Sequence, residues 1–209
     1  MGRLLAIGDV HGRLSRLERL IAQIGPSADD TLVFLGDYID RGPDSYEVVE
    51  LLIDLKKQFP GIITLRGNHE DYIIAVLLGN QNRQERELWR TCNGGEMTLA
   101  SYRHAGEYMS VHKDFYLNLP VYWETEEYFF CHAGVRRGVP LHEQRPVDLV
   151  DNRNHYPLPH ENLGKIVVHG HTVVDTPLIL SNRINIDTGA GKSGPLTAIE
   201  LHSRTIWQS

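Results

Sequence analysis

Three segments of the chain share one pattern. "RLLAIGD" (3–9), "TLVFLGD" (31–37) and "GIITLRGN" (61–68) are short apolar runs that end in glycine and then a polar residue. After the first, "LSRLERLIAQI" (14–24) carries Leu or Ile at 14, 17, 20, 21 and 24, the spacing of one helix face. After the second, "DSYEVVELLIDL" (44–55) follows Pro43 and opens with Asp44 three residues before Glu47, which predicts a capping box. Strand and helix therefore alternate. That alternation predicts an α/β layered fold with a largely parallel portion, and in such sheets ligands sit beyond the carboxyl ends of the strands.

Residues 70–118 read as mostly helical, with one break at "NGG" (93–95). Beyond 120 the texture is β-rich. "VYWET" (121–125), "EYFFCHAG" (127–134), "KIVVHGHT" (165–172), "PLILS" (177–181), "RINIDTG" (183–189), "LTAIEL" (196–201) and "RTIW" (204–207) are expected to form a meander that closes a second sheet. Between them, 135–164 reads as irregular. No repeat or linker interrupts the chain, so a single domain over 1–209 is expected. The net charge of −6 and the lack of any Lys/Arg-rich block argue against a nucleic-acid partner. No apolar run approaches the ~20 residues of a membrane span. The two cysteines, Cys92 and Cys131, lack metal-binding spacing and suit a cytoplasmic location with reduced thiols. Oligomeric state is not legible.

The polar residues at the strand exits carry the chemistry. They are Asp9 and His11 in "GDVHG", Asp37, Asp40 and Arg41 in "GDYIDRG", Asn68 and His69 in "GNHE", His132 in "CHAG" and His171 in "HGHT". If the strands are neighbours, these side chains converge. A mixed oxygen and nitrogen donor set without thiolate suits Mn²⁺, with Fe or Zn²⁺ as alternatives. Asp9, His11, Asn68, His132, His171 and a shared Asp37 suffice for two ions. Two adjacent ions are a recurrent device for hydrolysing phosphate esters through a metal-activated hydroxide. On an extended segment, Asn68 and His69 point to opposite sides, so Asn68 can ligate while His69 protonates the leaving group. Asp40 is the right residue type to orient His69.

"GDVHG", "GDYIDRG" and "RGNHE" resemble the three signature blocks of the phosphoprotein phosphatase family, the calcineurin-like serine/threonine phosphatases. "HAG", "HGHT", "NIDTGA" and "NGGEMTLASY" (93–102) are similar to its compact bacterial and phage branch, and the resemblance covers residues 4 to about 202. It implies a calcineurin-like metallophosphoesterase fold, a two-sheet β-sandwich flanked by helices. It implies that Asp9, His11 and Asp37 hold one ion and that Asp37, Asn68, His132 and His171 hold the second. His69 is then the general acid, Asp40 its partner and Arg41 a phosphate binder. Arg153 in "LVDNRNHY" matches the family's second phosphate-binding arginine, with Arg136 and Arg137 as rivals. The branch carries a Trp-containing segment where this chain has Val150-Asp151-Asn152. The substrates implied are phosphoproteins or phosphopeptides, with phosphotyrosine activity left open.

The related diadenosine tetraphosphate hydrolases are the first rival reading. They tend to carry Asn in place of Asp40 and Asp in place of Glu70, so those two letters favour the protein phosphatase. Val173 in "GHTV" disfavours a metallonuclease, and the full donor set disfavours a non-catalytic scaffold. His169 is read as supporting the ligands or facing substrate, and Glu70 and Arg66 as supporting the ligands or forming a salt bridge. His104, His112, His142, His155, His160 and His202 are read as surface residues, and Cys131 as core.

Overall fold

The computed structural model describes residues 2–153 and 155–209. Two five-stranded sheets pack face to face with helices outside them, the two-sheet sandwich expected. In the first sheet, β1 (Leu4–Ile7), β2 (Thr31–Phe34) and β3 (Ile62–Thr64) are parallel neighbours. Helices α1 (Leu14–Ile24) and α2 (Ser45–Gln58) make the crossovers. Asp44 is the N-cap of α2, but its side chain makes no capping bond, and the Glu47 carboxylate accepts from Ser101 Oγ. The predicted capping box is therefore absent.

The C-terminal strands do not close the second sheet as expected. Strand β9 (Thr197–Glu200) returns to pair antiparallel with β1, and β10 (Ile206–Gln208) extends that edge. The second sheet contains β4 (Tyr122–Glu124), β5 (Tyr128–Cys131), β6 (Ile166–His169), β7 (Leu178–Ile179) and β8 (Arg183–Asn185), in the order β4-β5-β6-β8-β7. The pairs β5–β6 and β6–β8 are parallel, so this is not a meander.

The period-2 alternation of each strand divides the core. Ala6, Val33, Leu35, Phe130, Val168 and Ile199 fill the space between the sheets. Leu5, Ile7, Leu32 and Phe34 face α1 and α2 through Leu17, Leu20, Val48 and Leu52. Phe129, Cys131 and Val167 face Leu149 of α7 (Pro146–Val150), a short helix inside the segment read as irregular. The helical stretch 70–118 breaks more often than expected. It contains α3 (Asn68–Leu77), α4 (Arg83–Cys92), α5 (Gly95–His104), a 3₁₀ turn at Met109–His112 and α6 (Lys113–Leu117). No helix among the described residues is long and apolar enough to cross a membrane.

Candidate functional site

Every strand-exit residue singled out above lies just beyond the carboxyl end of β1, β2, β3, β5 or β6. The backbone there is unusual. Six non-glycine residues among those described have positive φ, and five of them are His11, Asp37, Asp40, Arg41 and His171. Each such residue costs on the order of 1–3 kcal/mol and persists only where its surroundings hold it. Glu70 supplies part of that hold. It is fully buried, and its carboxylate accepts the N–H groups of Asp37 (2.8 Å), Tyr38 (2.9 Å) and Gly67 (2.9 Å). Asp37 O in turn accepts the N–H groups of Val10 and His11, which ties the first loop to the second. Glu70 and Arg66 do not pair with each other. Arg66 reaches Leu119 O and Asp71.

Asn68 and His69 begin helix α3 and are not on an extended segment. Their side chains still diverge, because successive helical residues are turned by about 100°. Asn68 Oδ1 faces His132 Nε2 (3.1 Å) and His171 Nδ1 (3.0 Å). His69 Nδ1 instead donates to Asp40 Oδ2 at 2.6 Å. The two side chains thus point apart as expected, with a helix N-terminus as the physical cause.

The donor set fits a cation. His11 Nδ1 donates to Ile39 O and His132 Nδ1 to Leu35 O, both at 2.9 Å, so in each neutral ring Nε2 offers a lone pair to an ion. His132 Nε2 lies 3.1 Å from His171 Nδ1 and 3.3 Å from Asp37 Oδ1, beside Asn68 Oδ1. That many acceptors at contact distance crowd one another unless a cation sits among them. Asp37 also lies 3.5 Å from His11 Nε2 through its other oxygen, so its carboxylate faces both groups. Asp9 is held on the far side, accepting the His171 N–H at 3.1 Å. The family described below and these two clusters point to a dinuclear divalent site.

Charge coupling in the cluster is strong. Burial would raise the Asp37 carboxyl, but His132 and His69 hold it well below the usual range. Burial opposes protonation of His132, yet Asp37 and Asp9 push it up to about 10. Burial, then the charge of Asp187, pushes Asp9 well above its ordinary value. Burial also lowers His11, and lowers His171 to about 4. His69 is pulled down by burial, but Asp37 and Asp40 outweigh this and leave it raised.

Arg41 reaches in over the cluster, with Nη1 on His11 Nε2 (2.5 Å) and Nη2 on His69 Nε2 (3.0 Å). Arg153 stands at the rim, paired with Asp151 Oδ1 at 3.0 Å, and the same oxygen is 3.2 Å from His171 Nε2. Arg137 is tied to Glu161 and the Arg136 backbone to Gln144, so neither rival shares that link to the cluster. Asp151, Asp187, Trp89 and Thr98 are residues of the site that sequence reasoning missed. Asp151 lay in the stretch 150–152 read only as a departure from the family, and Thr98 in "NGGEMTLASY" read only as resemblance. Two histidines also differ from expectation. His169 is fully buried, donates from Nδ1 to Gly170 O and stacks on Tyr156, so it faces the core. His112 is buried as well, bonded to Glu50 and Tyr102.

A two-sheet sandwich with a histidine-and-carboxylate cluster at its strand ends defines a metallophosphoesterase. The profile of the calcineurin-like phosphoesterase family matches residues 2–187, and the chain belongs to that family. The chain is 28% identical over 223 residues to the asymmetrical bis(5'-nucleosyl)-tetraphosphatase PrpE of Anoxybacillus flavithermus, covering 92% of this chain and 88% of that one. In fold it is similar to the crystal structure of a candidate diadenosine tetraphosphatase (TM-score 0.74, 21% identity, 100% of this chain and 93% of that one). It is also similar to a serine/threonine phosphatase from Saccharomyces cerevisiae (TM-score 0.65, 16% identity, 99% and 79%). The calcineurin-like metallophosphoesterase family expected from the sequence blocks is thus borne out. Its protein-phosphatase branch is not what the sequence relatives are named for.

Proposed function

We propose that this protein is a dinuclear-metal phosphohydrolase acting on dinucleoside polyphosphates of the bis(5'-nucleosyl)-tetraphosphate type, with residues 1–209 as one catalytic domain. The cluster of lone-pair donors beside the His69–Asp40 pair carries the hydrolytic reading. The tetraphosphatase relatives, matched over most of the chain, support the substrate class. They favour the reading that the two letters at Asp40 and Glu70 argued against. Glu70 secures three backbone N–H groups and Asp40 holds His69, so both letters have work to do whatever the substrate.

Asp9, His11 and Asp37 would hold one ion, and Asp37, Asn68, His132 and His171 the other. Bound there, two divalent ions supply Lewis acidity and acidify water. Mn²⁺ suits this oxygen and nitrogen set, as do Fe and Zn²⁺. The protein's own groups do the rest. Arg41 and Arg153 bind phosphate oxygens, where a planar guanidinium can span two at once. His69, kept protonated by Asp37 and Asp40, delivers a proton from Nε2 to the departing oxygen while Asp40 fixes the ring through Nδ1.

A second reading, hydrolysis of phosphoserine or phosphothreonine peptides, is favoured by that same pair. A serine alkoxide must be protonated as it leaves, whereas a nucleotide phosphate leaves as a stable anion. Turnover with Mn²⁺ across diadenosine tetraphosphate, phosphopeptides and p-nitrophenyl phosphate tests the choice. The proposal expects the dinucleotide to have the highest kcat/KM. Preference for phosphopeptides selects the second reading.

A further inference from the structure

We propose that Trp89 and Thr98 are positioning residues for the His69–Asp40 pair, and that the glycine elbow between their helices seats Arg41. The proposal rests on the hydrolytic reading above. It begins with the number of donors on Asp40, which is fully buried. His69 supplies only one. Trp89 Nε1 donates to the same oxygen, Oδ2, at 2.8 Å, and the Thr98 hydroxyl donates to Oδ1 at 2.6 Å. The Asp40 N–H closes the ring by donating to Thr98 Oγ1 at 2.9 Å. A carboxylate turns about a broad, shallow torsion, so one partner does not fix its plane. Donors on both oxygens do, and they thereby fix the direction in which His69 presents Nε2.

Trp89 is the one buried residue of helix α4, whose sequence RQERELWRTC has no apolar stripe. Anchoring such a helix needs an apolar ring, which Phe would provide. The indole N–H adds something an anchor does not need, and it is spent on Asp40. The elbow has a matching design. Gly94 sits at φ 89° and its carbonyl accepts the Arg41 N–H at 3.2 Å. A Cβ on Gly94 would lie 2.6 Å from Arg41 N, and one on Gly95 would lie 2.3 Å from Trp89 Cε2. The two glycines therefore let Arg41 and Trp89 lie flat against the elbow. Arg41, itself in the left-handed region, contacts the same His69 Nε2 that the pair aims. One unit, α4–elbow–α5, thus supports both the proton donor, through Asp40, and the guanidinium residue.

The test uses the full Mn²⁺-loaded protein and two phosphomonoesters, phenyl phosphate with a poor leaving group and p-nitrophenyl phosphate with a good one. Trp89→Phe, Thr98→Val and Thr98→Ser are made alone and on His69→Asn, with metal content and thermal unfolding as fold controls. Trp89→Phe and Thr98→Val should each lower kcat for phenyl phosphate roughly ten-fold, the worth of one hydrogen bond to a charged group. KM should stay within about two-fold, and the loss should shrink for p-nitrophenyl phosphate. Thr98→Ser, which keeps the hydroxyl, should recover the wild-type kcat. On His69→Asn, neither change should cost anything further, because both act through His69. Unchanged kcat in Trp89→Phe and Thr98→Val, or losses that persist at full size on His69→Asn, would overturn the proposal alone. A His69→Asn variant as active as the wild type would instead sink the proton-donor reading and this proposal with it. The two residues grip different oxygens, so if either substitution unfolds the protein the other decides.

Discussion

Gly170→Ala is a one-atom test of whether Asp9 holds an ion. Gly170 lies between His169 and His171, outside the left-handed region, so its backbone admits alanine. The added Cβ would lie 2.1 Å from Asp9 Oδ1 and 3.2 Å from Asp9 Cγ. Ordinary contact begins near 3.4 Å, so the carboxylate must retreat by about 1.3 Å. It cannot do so freely, since Asp9 is buried beside Asp187 and accepts the His171 N–H. Metal–ligand distances tolerate only about 0.2 Å, and a misplacement of about 1 Å at a catalytic centre costs roughly 10²-fold. Overpacking itself should cost about 1–3 kcal/mol of stability. Calorimetric titration of Mn²⁺ into chelator-treated protein should show one ion weakened by roughly 10²-fold and the other nearly unchanged. Gly138→Ala, where a Cβ meets nothing but φ is +73°, should cost stability and leave both ions unaffected. If Gly170→Ala binds both ions as the wild type does, Asp9 is not a ligand.

Other substitutions separate the remaining roles. His69→Asn should lower kcat by roughly 10²–10⁴, least for good leaving groups, with near-normal metal content, whereas Asn68→Ala should lose metal. Equal metal loss in both would refute the division between them. Arg41→Lys and Arg153→Lys should both cut kcat/KM, and Arg137→Ala should not. Inhibition by inorganic phosphate checks this, and tight phosphate binding by Arg153→Ala with weak binding by Arg137→Ala would reassign the clamp. Metal uptake should also depend on pH. His132, pushed up to about 10 by Asp37 and Asp9, carries a proton at neutral pH that it must lose to ligate. Mn²⁺ affinity should therefore rise as pH rises toward that value and fall in acid. Titration in two buffers of different ionisation enthalpy should reveal proton release, and heats independent of buffer would contradict it.

Much of this site is legible in the sequence because its grammar is local. A strand exit marked by glycine and a polar residue requires no knowledge of distant partners, and it led to Asp9, His11, Asp37, Asp40, Arg41, Asn68, His69, His132 and His171. Helix α1 was legible for the same reason, since its apolar stripe is complete within eleven residues. What failed depends on partners far along the chain. Pairing of β9 with β1 joins residues almost two hundred positions apart, and a short β run gives no sign of which sheet it will enter. Glu47 looked like a cap but found Ser101, and Trp89, which no local pattern singles out, reaches Asp40 across 49 positions. His112 was placed on the surface because nothing nearby predicts Tyr102 and Glu50 as partners. The two letters read for substrate class, Asp40 and Glu70, answer to His69 and to backbone N–H groups, so they carry no mark of the substrate.

The central claim is that two divalent ions, held by the chain's own Asp, Asn and His residues, make this protein a phosphohydrolase. The most direct measurement strips the protein with chelator and follows p-nitrophenyl phosphate hydrolysis against bound Mn²⁺ as the ion is returned. The account predicts no turnover in the stripped protein and full turnover only as the second equivalent binds. Full activity without metal, or at one equivalent, would contradict it.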